Sequence, residues 1–354
     1  MSTTELSEES PLVPTLTRWL SQHEVSLKEP VQASAIMGGQ SNLTYRIVDA
    51  TGRTLVLRRP PTGHVLETAH SMIREWRFIS ALHGTDVPVP APIAFCDDQA
   101  VLGAPFYVME HVDGLVLHSS EDSLALPSAA RPNASAGIAT ALGHLHSVNA
   151  EAAGLADIGR GGDYVARQLK RWHGQWEKTK AIAELDVPAI DEGHVLLQSA
   201  IPPQESISIV HGDYRLGNVV TGSDGTIRAI LDWELATLGD PRADLGWLLL
   251  SWEEPGESRL RHPAGQQPST VPGFGSRAEL IEHYAQQMGG QAVTGIDYFI
   301  AFAAWRWACI SAGVYARYQA GVMGAEVGDL PAILAAVREH ADYAVRLGAA
   351  HGGC

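Results

Sequence analysis

The segment His211-Gly212-Asp213-Tyr214-Arg215-Leu216-Gly217-Asn218, with Asp232 beyond it, holds the residue types that could do chemistry. Phosphoryl transfer asks three things of a protein: a base that positions the attacking hydroxyl, oxygen ligands for Mg²⁺, and cationic or backbone donors for the phosphates. Asp213 can accept the hydroxyl proton. Asn218, five residues on, can offer its amide oxygen to the metal, and Asp232, at the end of a later strand, can return to the same ion. The plain alternative is a polar loop whose Asp and Asn make turns. The triplet His-Gly-Asp alone does not decide between them. The spacing to Asn218 and then to Asp232 favours the phosphoryl-transfer reading.

Such groups need a rigid frame. Ala35 to Met37 reads as a strand running into Gly38-Gly39-Gln40-Ser41-Asn42, after which Leu43 to Val48 and Thr54 to Arg58 alternate apolar and polar residues as a hairpin does. The glycines let backbone approach a phosphate without a Cβ in the way, although an ordinary hairpin uses the same residues. Pro60-Pro61 stops the strand, and residues 69–83 read as a helix with Met72, Trp76, Ile79 and Leu82 on one face. Residues 105–111 form a further strand, ending at Asp113-Gly114. Beyond Gly114 the pattern turns helical at 133–148 and 164–183. Short strands surround the 205–232 segment, with a turn at Gly222 to Gly225. From about residue 243 it is helical again, apart from a Gly/Pro-rich loop at 255–276. The expected fold class is α+β in two lobes: residues 1–112 a small antiparallel-sheet N-lobe, and residues 113–354 a larger, mainly helical C-lobe.

Composition narrows the partners. The 354 residues suit two lobes rather than one small core. A formal net charge of −15, from 40 acidic against 25 basic residues, argues against a nucleic-acid partner, which needs a basic face. The three cysteines Cys96, Cys309 and Cys354 are far apart and form no CxxC pair, so neither a disulfide framework nor a zinc site is expected. With no basic start followed by an apolar run, the expected location is the cytoplasm. Residues 299–316 are strongly apolar but carry Arg306 at the middle, so they read as a buried helix and not a membrane span. His144 and His146 sit two apart on a helix and face opposite sides, as ordinary helix histidines do. The many tryptophans read as core.

The motifs together resemble the aminoglycoside phosphotransferase and choline kinase group, relatives of the protein kinases. His211, Asp213 and Asn218 match the H-R-D-x-x-x-x-N pattern of protein kinases, with Gly212 in the small-molecule-kinase form, and Asp232-Trp233-Glu234 stands in place of D-F-G. The resemblance implies a protein-kinase-like fold, with Asp213 as catalytic base and Asn218 and Asp232 as Mg²⁺ ligands. It also makes Arg215 a phosphate contact, in place of a kinase Lys. Arg58 takes the position of the Lys of V-A-I-K; an Arg keeps the fixed positive charge but offers a planar fork. Its acidic partner is expected to be Glu75 on the following helix. Val108 to Gly114 resembles the kinase hinge, implying adenine contacts through backbone at Glu110 and Val112, with Met109 lining the pocket. Asp244 is implied to hold the catalytic-loop backbone. ATP and Mg²⁺ are the implied cofactors.

The phrases GGQSNLTYR, LVLRRPP, REWRFISAL, FYVMEHVDG and HGDYRLGN sharpen the resemblance toward the phosphotransferase domain of acyl-CoA dehydrogenase family members 10 and 11. That implies a small-molecule hydroxyl acceptor, a hydroxy acid or hydroxyacyl-CoA. Arg167, Lys170, Arg171, Arg306 and Arg317 lie on helices expected to wall the acceptor site, and this positive set suits a neutral or anionic acceptor better than a polyamine. Solvated helix faces explain the same cations. An aminoglycoside kinase and a nucleotide-binding pseudokinase are the alternatives.

Overall fold

The structure is a computed structural model. It describes residues 3–5, 12–36, 42–61, 65–257, 260, 265–290, 293–321 and 329–351. The expected phosphate-loop residues Gly38, Gly39, Gln40 and Ser41, and also Cys354, lie outside the described residues. The chain forms two compact units, Met1–Asp113 with Arg228–Ala236, and Gly114–Ile227 with Thr237–Cys354.

In chain order the first unit contains β1 (Thr3–Glu5), α1 (Leu12–Gln22), β2 (Gln32–Ile36), β3 (Leu43–Val48), β4 (Thr54–Arg59), α2 (Val65–Leu82), β5 (Pro92–Cys96), α3 (Gln99–Leu102) and β6 (Phe106–Glu110). Among the described residues these strands make one antiparallel sheet in the order β1-β2-β3-β4-β6-β5. Strand alternation assigns its two faces. Leu55 and Leu57 of β4, with Phe106 and Val108 of β6, join Leu12, Leu16, Trp19 and Leu20 of α1 in one apolar cluster. Val56, Arg58, Tyr107 and Met109 therefore face the other way. That second face is covered by α2, which explains why Leu55-Val56-Leu57, apolar at all three positions, is buried without a break where an alternating strand would expose one face. On α2, Met72, Phe78, Ile79 and Leu82 are buried, whereas Trp76 is only half-buried. Glu75 lies three residues after Met72 and four before Ile79, so its carboxylate enters the covered face with them.

The second unit holds α4 (Ser120–Leu124), α5 (Arg131–Ser147), α6 (Tyr164–Ala183), α7 (Pro188–Ser199), β7 (Ser208–Val210), β8 (Val219–Thr221), β10 (Thr237–Gly239), α8 (Arg242–Leu250), α9 (Arg277–Gln287), α10 (Ile296–Gln319) and α11 (Leu330–His351). A strand at Ile227–Ile230, β9, runs from this unit into the returning segment of the first. The short antiparallel pair β7–β10 sets Val210, just before His211, opposite Thr237. Helix α10 is long and apolar enough to cross a membrane by length and composition, yet it is mostly buried within its unit. It packs on α8 very closely: a Cβ added at Gly246 would lie 2.6 Å from the carbonyl carbon and oxygen of Phe299. Two lobes, one an antiparallel sheet with few helices and one mainly helical, is the expected fold class.

Candidate active site

In the first unit the site residues converge on the α2-covered face of the sheet. The β4–β6 register sets Arg58 directly opposite Tyr107. Arg58 Nε approaches Glu75 Oε2 at 3.1 Å as an ion pair, outside hydrogen-bond geometry, and its Nη2 donates to Asp232 Oδ1 at 2.9 Å. Glu75 is fully buried. It accepts from Tyr107 Oη at 2.8 Å and from Asn42 Nδ2 at 3.1 Å. Burial opposes the charge of Arg58, but the carboxylate of Glu75 first, then Tyr107, Asp232 and Glu234, hold the guanidinium above its ordinary value. Burial pushes the Tyr107 hydroxyl well above 10, and the Glu75 charge adds to it. A guanidinium fixed in this way is a preorganised positive charge.

Asp232 sits in left-handed backbone, with φ 66° and ψ 67°, at the entry to a 3-10 turn, Trp233–Leu235. That conformation is uncommon for a residue with a Cβ. The turn is pinned by Trp233, which stacks on Phe78 of α2 at 5.7 Å and donates its indole N–H to the carbonyl of Ile230. Carboxylate oxygens of Glu75, Asp232 and Glu234 lie within 4.8 Å of one another. Glu75 is engaged by Arg58, Tyr107 and Asn42, so Asp232 and Glu234 are the carboxylates of this group that suit a hard divalent cation such as Mg²⁺. Glu234 was not among the expected ligands, although the acidic residue two after Asp232 is visible in the sequence. Met109 is buried on β6 opposite Val56, Glu110 donates its N–H to the carbonyl of Ala91 and pairs with Arg53 at 2.8 Å, and Val112 is half-buried. Asn42, expected in the phosphate loop, points to Glu75.

In the second unit the segment from His211 to Asn218 is built around Asp244. Its Oδ2 accepts the N–H of His211 at 2.6 Å and its Oδ1 that of Gly212 at 2.8 Å. His146 Nε2 lies 3.3 Å from Oδ2, and His146 Nδ1 lies 2.8 Å from Tyr284 Oη. Burial alone would raise the Asp244 carboxyl. The hydrogen bond and charge of His146, the charge of His211 and the Gly212 N–H outweigh it and hold the carboxyl below its ordinary 3.8. Gly212 has φ 88°, a left-handed conformation that glycine adopts without a Cβ penalty. The bend turns Asp213 out of the buried segment.

Asp213 is held at both oxygens. Oδ2 accepts Asn218 Nδ2 at 2.7 Å, and Oδ1 accepts Trp247 Nε1 at 2.7 Å and Arg215 Nε at 3.3 Å. Asn218 Nδ2 also donates to the backbone carbonyl of Asp213, so the amide oxygen is the atom left to suit a cation. Asp244 and Trp247, three apart, share one face of α8 and brace the loop from below. From α10, Arg306 donates to the carbonyl of Gly212 and stands 4.3 Å over the Trp247 ring. Trp247 is not among the expected site residues. Its only signal was the i, i+3 spacing from Asp244. Of the cations expected to wall the acceptor site, Arg306 is buried and committed to backbone, Arg167 donates to the carbonyl of Arg160, and Lys170, Arg171 and Arg317 are exposed.

The phosphotransferase enzyme family matches residues 32–280. Mouse acyl-CoA dehydrogenase family member 10 is 34% identical over 297 residues, which are 82% of this chain but 27% of that protein. The chain thus spans about a quarter of the length of that relative. A solved structure of a candidate aminoglycoside phosphotransferase from Ralstonia eutropha superposes with a TM-score of 0.78 at 31% identity, covering 96% of this chain and 98% of the other. An aminoglycoside phosphotransferase in ternary complex with AMP-PNP and hygromycin B, covering 95% of this chain and 99% of its own, shares the fold at TM-score 0.61 and 15% identity. With the loop geometry and the match over residues 32–280, the chain belongs to the phosphotransferase enzyme family.

Proposed function

We propose that this protein transfers the γ-phosphate of ATP to a hydroxyl of a small molecule, with a hydroxy acid or hydroxyacyl-CoA as acceptor. The observation that carries the reading is the Asp213 carboxylate, held at both oxygens in a loop whose backbone N–H groups are anchored on Asp244. A base must be oriented before it can take a proton in a transition state. Here the acceptor O–H proton passes to Asp213 as its oxygen bonds to the γ-phosphorus. The bond from that phosphorus to the β–γ bridging oxygen breaks, and ADP leaves. Arg215, beside Asp213, neutralises phosphate charge. In the first unit Arg58 serves the α- and β-phosphates, and the Glu110 to Val112 backbone the adenine. Asp232, with Glu234 close by, is assigned to Mg²⁺ in the first unit, and in the second unit the Asn218 amide oxygen is assigned to Mg²⁺ as well. When bound, Mg²⁺ neutralises charge on the phosphates. The AMP-PNP bound by the fold relative supports nucleotide use.

The acceptor class rests on the acyl-CoA dehydrogenase relatives and on the exposed cations of α6, Lys170 and Arg171. The likeness to the Ralstonia structure favours a second reading, an aminoglycoside acceptor. A cytoplasmic setting and a small-molecule partner, without nucleic acid or membrane, complete the proposal. The test is ATP consumption with Mg²⁺ across hydroxy acids, their CoA esters, aminoglycosides and amino alcohols. Turnover with the first two classes is expected. Turnover confined to aminoglycosides moves the conclusion to the second reading. Thermal stabilisation by Mg²⁺-ATP with no acceptor consuming it makes the protein a pseudokinase.

A further inference from the structure

We infer that Trp247 and Arg306 are positioning residues for Asp213, forming a brace that fixes the carboxylate's rotation; this rests on the reading of Asp213 as the base. A carboxylate on a short side chain turns about its last bond, and only some rotations aim a lone pair at an incoming hydroxyl. Asn218 holds Oδ2 from within the loop. Oδ1 depends on the indole N–H of Trp247, at 2.7 Å, with Arg215 more distant at 3.3 Å. Arg215 is itself assigned to phosphate, so the indole is the donor that stays with the base throughout.

The brace is built to be rigid. Trp247 is 6% exposed and Arg306 is 3% exposed. The guanidinium lies over the Trp247 ring at 4.3 Å and donates to the carbonyl of Gly212, the residue before Asp213. One buried cation thus fixes both the donor ring and the backbone that carries the acceptor. Its Nε has no hydrogen-bond partner among the described residues, and the centroid of a second ring, Trp172 of α6, lies 6.0 Å from the guanidinium carbon. A buried guanidinium with an unmet N–H is costly, and the Gly212 carbonyl and the Trp247 ring are the contacts that offset it. Glycine at 246 lets α8 sit against α10 closely enough for the stack to form.

The experiment separates the N–H from the ring. Trp247→Phe keeps the aromatic surface under Arg306 and removes the donor. Turnover is measured as ADP release with Mg²⁺-ATP, using 3-hydroxybutyrate as acceptor and, in parallel, water. The inference expects kcat to fall about tenfold or more, with KM for ATP and the melting temperature close to wild type. Arg306→Lys, which keeps a cation, should lose less kcat than Arg306→Leu. A Trp247→Phe enzyme within twofold of wild-type kcat, beside an inactive Asp213→Asn, overturns the brace and leaves the base assignment standing. A turning-over Asp213→Asn overturns both.

Discussion

The carboxylate of Asp244 is spent on the backbone of Gly212: Oδ1 accepts its N–H at 2.8 Å while Oδ2 takes that of His211. The loop that carries Asp213 is therefore shaped by a side chain from α8, 32 positions away.

Replacing Asp244 with Asn puts an NH₂ group against one of the two backbone donors. The cost should be about 3 kcal/mol in urea denaturation at pH 7, the loss of a buried charge-assisted hydrogen bond plus an orphaned N–H. The pH dependence has a definite sign. The folded-state value lies below the ordinary 3.8, so the stabilisation is complete above pH 3.8 and is lost as pH falls through the lower folded value. Below about pH 4 the wild-type stability should therefore drop more steeply than that of Asp244→Asn, and the two curves should converge.

Arg58→Met leaves Glu75, with no exposure, facing Tyr107 and Asn42 without its guanidinium. Breaking one side of a buried pair costs about 3–5 kcal/mol, because the remaining charge is stranded. Adding Glu75→Gln should recover part of that loss. A double-mutant cycle by urea denaturation reads the coupling, and strictly additive effects would refute it.

Asp213→Asn and Asp232→Ala should fail differently. The first keeps Mg²⁺-ATP affinity in calorimetry and loses about a hundredfold or more in turnover. The second weakens Mg²⁺-ATP binding itself, because it removes the proposed cation ligand and frees Arg58 Nη2 from its 2.9 Å partner. Equal nucleotide affinity in both variants would contradict the assignment.

Gly246→Ala should be destabilising although alanine is the better helix former by about 1 kcal/mol. Its Cβ would meet the carbonyl of Phe299 at 2.6 Å, and backbone cannot move aside as a flexible side chain does. An overpacking cost of about 1–3 kcal/mol is expected from denaturation curves. A net stabilisation would show that α8 and α10 can separate freely.

Much of this protein was legible in order along the chain. The strand at 43–48, the helix at 164–183 and the spacing from His211 to Asn218 are local patterns. Each is set by a period of two or 3.6, or by a fixed interval within one loop. The buried state of Glu75 was half legible. Its place between Met72 and Ile79 puts it on the core face, but a lone acidic residue in a helix reads equally well as solvated.

Chemistry between distant segments was not legible. No periodicity says that Asn42 turns to Glu75, that Trp247 reaches Asp213, or that Arg306 is spent on the carbonyl of Gly212, 94 residues away, and not on an acceptor. The sequence by itself determined which side chains are candidates for the chemistry and which elements hold them. Tertiary structure decided how those groups are aimed. Aim depends on strand register, on the separation of α8 and α10, and on which buried donors find acceptors, and these are settled only when the whole unit packs.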